Sequence, residues 1–169
     1  MDVNNLGQGE KIAGISAVVL FFVMFIFSWF SIDGVPAGID SGASAWQAFG
    51  FIDIILFITI CAAVAVAVMA ATATDANLPI AGSAIVAGLG ILSVVLILFR
   101  IIVTPEPGAF GFSVDTSPSI GAFIGLVAAA GIAYGGWMGM QEEGTSFSDA
   151  AGGFQGGSND PPPPPPPAQ

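Results

Sequence analysis

A chain of 169 residues is domain-sized, yet 54% of it is hydrophobic and only 8% charged, with a mean hydropathy of +0.87. Soluble domains carry about 25% charged residues to cover their surfaces, so this composition excludes a water-soluble fold and points to the bilayer as solvent. Twelve acids against Lys11 and Arg100 give a net charge of -10, which excludes the clustered basic surface that nucleic acid needs and a polybasic grip on anionic headgroups.

Histidine is absent and Cys61 is the single cysteine, set inside an apolar run. An intrachain disulfide framework is therefore excluded, and zinc, haem and iron–sulfur centres lack their ligands, so no cofactor is expected.

The first apolar block, residues 12–30, is long enough to cross a hydrocarbon core of about 30 Å at 1.5 Å per residue. It is rich in phenylalanine and carries Trp29 near its end, where an interfacial aromatic belongs. Asp2 and Glu10 oppose the charge of Lys11, and Val35-Pro36-Ala37 is a poor cleavage site, so the block reads as a retained helix and not a signal peptide. Glycine, proline and aspartate make residues 31–44 a loop.

Ser44 and Gln47 have the spacing of a capping box, predicting a second helix over 45–71 with Trp46 at the interface. A tight turn centred near Asp75 and Ala76 follows. Asn77 as N-cap and Pro79 in the first turn predict a third helix over 78–103, stopped by Pro105 and Pro107. Ser117-Pro118 repeats that start for a fourth helix over 118–141. The expected fold is an all-α membrane protein, with four transmembrane helices in an up-down bundle over residues 1–143. Residues 144–169, rich in glycine and serine and ending in seven prolines (161–167), are expected to be a disordered tail.

Two features carry chemistry. Asp53 and Arg100 each lie inside an apolar segment, where an unpaired charge costs roughly 2.5–3.5 kcal/mol. Counting equal distances from the turn places position 53 opposite about position 98, within one helical turn of Arg100. An intramembrane ion pair is expected, either as a clasp fixing hairpin register or as the gate of a transport site, with headgroup snorkelling open to Arg100. The fourth helix carries glycines four apart at Gly121/Gly125 and at Gly131, Gly135 and Gly139, a helix-packing face. Internal packing is the plainer use of that face, and a homo-oligomer seam the sharper one.

No catalytic residues emerge. With no histidine there is no base for a serine nucleophile, and Glu142 and Glu143 point about 100° apart on their helix. The proline tract offers either a spacer or a docking segment for a protein partner. An even number of spans puts both termini on one side, and Lys11 places them in the cytoplasm by the positive-inside rule, although Arg100 argues the other way.

Gly9-Glu10-Lys11-Ile12-Ala13-Gly14, Trp46-Gln47-Ala48-Phe49 and Met140-Gln141-Glu142-Glu143-Gly144 make residues 1–144 similar to a group of small bacterial four-pass membrane proteins of uncharacterised function. That resemblance implies a bacterial plasma membrane and carries no activity with it. The chain is expected to be a non-enzymatic scaffold or accessory subunit of a membrane assembly. The alternative is a transporter or channel component gated around Asp53 and Arg100.

Overall fold

The computed structural model describes residues 6–32, 42–48, 50–72, 82–103 and 116–154. Four helices among them are long and apolar enough to cross a membrane: α1 (Gln8–Ile26), α3 (Phe51–Ala71), α4 (Gly82–Ile102) and α5 (Ile120–Glu143). Between them lie β1 (Phe30–Ile32), β2 (Gly42–Ala43), the single-turn α2 (Ala45–Ala48) and β3 (Thr116–Pro118), and α6 (Phe147–Phe154) follows. The asparagine–proline start expected at 77–79, the stop at Pro105 and Pro107, and the proline tract lie outside the described residues.

The first helix starts and ends earlier than the apolar block suggests. Its start is fixed by polar partners: the Glu10 carboxylate accepts from the Gly7 N–H at 2.9 Å, and Glu142 accepts from Gln8 N–H at 3.1 Å. The helix then stops at Ile26 because the chain turns extended at Phe27 and folds Trp29 inward. Trp29 is fully buried, its indole N–H donating to the Val23 carbonyl at 3.0 Å, so it is a core residue and not the interfacial aromatic expected.

The expected helix over 45–71 is two helices. Gly50 adopts a positive φ of 56°, open to glycine and strained for other residues, and breaks the run between α2 and α3. Ser117 and Pro118 form β3 instead of starting the fourth helix. The three short strands pair antiparallel in the order β2-β1-β3, with Phe30 opposite both Ala43 and Pro118. Pro118 is tolerated because β3 is an edge strand. Ser119 is then the N-cap of α5, and its own N–H donates to the Trp29 carbonyl at 2.8 Å.

At the far end of α5, Gly144 takes the left-handed conformation (φ 66°), and the Thr145 N–H returns to the Met140 carbonyl at 2.9 Å. Residues 147–154, expected to be tail, are helical. Ser146 and Asp149 form a reciprocal cap, with Ser146 N–H donating to Asp149 Oδ2 at 2.9 Å and Asp149 N–H to Ser146 Oγ at 3.3 Å.

Helix α5 lies at the centre, packed chiefly against α1 and α4, while α3 packs on α1 and α4. The core is small-sided, built on Ala13, Ala17, Ala87, Ala122 and Ala129 with Leu20, Met24, Leu56, Ile97 and Ile132. The bulk faces outward: Ile102 is 79% exposed, Phe51 74% and Val127 72%. Such an exterior suits lipid and would be costly in water.

Candidate functional site

Asp53 lies in the first turn of α3 and Arg100 in the last turn of α4. Deeper along the same pair of helices, Thr59 and Ser93 are both fully buried and share a hydroxyl–hydroxyl hydrogen bond of 2.9 Å. Thr59 also donates to the Ile55 carbonyl at 2.9 Å, which leaves Ser93 to supply the proton between the two hydroxyls. That contact sets the register. Six residues before Thr59 is Asp53 and six after Ser93 is Phe99, so the two charges share a level about 9 Å along the helices from the hydroxyl pair.

The Asp53 side chain is fully buried and feels the opposite charge of Arg100, with the Gly50 backbone N–H at the helix start beside it. Neither carboxylate oxygen meets a donor at hydrogen-bond geometry among the described residues. Arg100 is half-buried. The structure thus brings the two predicted charges into electrostatic reach without a direct hydrogen bond to the carboxylate.

The glycines of α5 pack against this chain's own helices and loop, three of them directly on backbone. A Cβ on Gly135 would stand 2.5 Å from the Ala13 nitrogen and 2.6 Å from the Gly9 carbonyl oxygen, and the Gly136 and Gly90 faces close equally tightly on Ala87 and Ala133. Gly131 faces Ser16 and Gly139 faces Ser83. Gly121 and Gly125 serve a different contact: they make room for the Ser28 backbone and the Trp29 ring.

A second polar cluster was missed by sequence reasoning. Glu142 and Glu143 diverge, as neighbours on a helix must, and each reaches the N-terminus of a different helix. Glu142 Oε1 accepts from the Gln8 and Gly9 N–H groups of α1 at 3.1 and 3.4 Å. Glu143 Oε2 accepts from the Ser83 hydroxyl in the first turn of α4 at 2.6 Å. A signal for this was present. Carboxylates at the C-terminal end of a helix oppose its own dipole, whereas at the start of another helix they are favourable.

Among the described residues no group of three or more His, Cys, Asp or Glu gathers as metal ligands do. No family model, no characterised protein and no solved structure matches the chain. Chemically, the Asp53–Arg100 level can clasp two helices or hold a charge inside an apolar wall. The Glu142–Glu143 end can tie three helices together.

Proposed function

We propose that the chain is an integral membrane protein whose four long helices cross the bilayer up and down, and that it serves as a non-enzymatic scaffold or accessory subunit of a membrane assembly. The observation that carries this reading is the division of side chains: large apolar residues cover the outside, while the core is rich in alanine and glycine around a few larger side chains and the Thr59–Ser93 hydroxyl pair. Such a body is built to sit in lipid as a rigid support. Both ends of the helical body lie on the cytoplasmic side, as the hydrogen bonds from Gln8 and Gly9 to Glu142 and the position of Lys11 in α1 favour. The glycine- and proline-rich residues 155–169 are then the segment that a cytoplasmic protein partner recognises.

Purification of the tagged full-length chain in mild detergent, beside a version ending at Phe154, tests this. A stoichiometric partner lost on truncation supports the scaffold reading. Recovery of both forms alone overturns it.

The buried Asp53 carboxylate favours a second reading, a transporter or channel component gated at the Asp53–Arg100 level. Ion flux into proteoliposomes that is abolished by Asp53→Asn supports the gate, and flux unchanged by that substitution removes it.

A further inference from the structure

On the outer face of the helices, residues of α1 and α3 line an apolar groove in two parts that meet at Val18. One part, of about 560 Å³, is walled by Phe21, Phe22 and Phe57 and floored by Ile60, Cys61 and Val64. The other, of about 520 Å³, continues along α1 past Val18, which lines both, to Gly14 and Lys11. Gly14 and Ala67 pack closely along it: a Cβ on Gly14 would meet the Ala67 Cβ at 3.2 Å. Volumes of this size hold small organic ligands.

Length and charge identify the occupant. From Phe21 to Lys11 the groove follows ten residues of helix, about 15 Å at 1.5 Å per residue, which is half of a hydrocarbon core of about 30 Å. It is therefore one leaflet deep. Its outer end carries Lys11, one of two cations in the chain, with an exposed side chain. Glu10 lines the same mouth, with its carboxylate accepting from the Gly7 N–H, and Glu142 is held by Gln8 and Gly9. Lys11 is the cation at that mouth, and the carboxylates beside it already hold backbone N–H groups. A single lysine beside a fitted groove is a different device from the polybasic patch that the composition excludes.

We infer that this groove binds one anionic bilayer phospholipid, its acyl chain lying between α1 and α3 and its phosphate at Lys11. The inference rests on the membrane-spanning reading but not on the scaffold role. Native mass spectrometry of the full-length chain released from nanodiscs of mixed phosphatidylglycerol and phosphatidylcholine tests it. One phosphatidylglycerol stays bound to each chain. Lys11→Gln lowers its retention about fivefold, the scale expected for one lysine at a charged membrane surface. Ala65→Trp, which fills the groove from its exposed side, abolishes retention, whereas Val127→Trp on the outer face of α5 leaves it intact.

Circular dichroism on each variant separates loss of lipid from loss of fold, and if Ala65→Trp does not fold, Lys11→Gln decides alone. Equal retention of both lipids, retention unchanged by Lys11→Gln, or a second copy of the chain seated in place of lipid overturns the site. A chain that enters nanodiscs but keeps no lipid loses the site and keeps its place in the membrane.

Discussion

Replacing Arg100 by leucine would leave the Asp53 carboxylate fully buried between α3 and α4 with its opposing charge gone. Removing one partner of a buried pair costs about 3–5 kcal/mol, whereas replacing both by apolar groups is often neutral or stabilising. Arg100→Leu is therefore expected to lower the thermal midpoint in detergent sharply, and Asp53→Leu/Arg100→Leu to recover most of the loss. If the double variant is no more stable than the weaker single one, the two charges do not act as a clasp. The shared level of these residues could be read from the sequence because helical rise is linear and the apolar spans bound the count. The acids at the end of α5 could not be read in the same way. Their partners are backbone N–H groups and a serine 60 to 134 residues away, and two carboxylates at their own helix's C-terminal end signal only that partners are needed, not which ones. Glu142→Ala removes a charged acceptor from two N–H groups and should cost about 1–2 kcal/mol, with Glu142→Gln closer to wild type because it keeps an acceptor oxygen. Equal midpoints for Glu142→Ala and the parent chain would show that water replaces the carboxylate at no cost.

At the level of elements, the predicted spans and the observed helices agree in their middles and differ at their ends, because the two are set by different physics. Long apolar runs require helix in lipid, where backbone groups find no water. Ends depend on tertiary partners such as the strand pairing that takes Ser117 and Pro118 out of α5, or on single dihedrals such as the positive φ of Gly50. The short helix α6 carried a legible signal in Ser146 and Asp149, a capping spacing overshadowed by the glycine-rich composition around it. The glycine face of α5 was also legible as a packing surface, and its closeness can be graded. At Gly135 an added Cβ meets backbone of α1, which cannot move aside alone, while at Gly131 it meets the hydroxyl end of Ser16, which can rotate. Gly135→Ala should therefore destabilise by about 1–3 kcal/mol, and Gly131→Ala by distinctly less. Midpoints that fall in the reverse order would mean that α1 and α5 are not held backbone to backbone.

For the molecule as a whole, two independent contacts constrain which helix ends lie together. The Gln8 and Gly9 N–H bonds to Glu142, and the Ser83 bond to Glu143, join the starts of α1 and α4 to the end of α5. The start of α5 lies instead against the chain just beyond the end of α1, through the Ser119–Trp29 hydrogen bond and the pairing of β1 with β3. If the helices cross a bilayer, Gln8 and Ser148 must then face one compartment, while Val103 and Thr116, on either side of residues 104–115, must face the other. In a Cys61→Ser background, single cysteines at Gln8, Ser148 and Glu106 turn this into a labelling pattern. A membrane-impermeant maleimide added to sealed, uniformly oriented vesicles should modify the first two together and spare the third, or the reverse. With the positive-inside placement of Lys11, intact cells should be labelled at Glu106 alone. Labelling of all three from one side would mean that the long helices do not span. Labelling of Gln8 apart from Ser148 would mean that the carboxylate contacts at the end of α5 do not persist in the membrane.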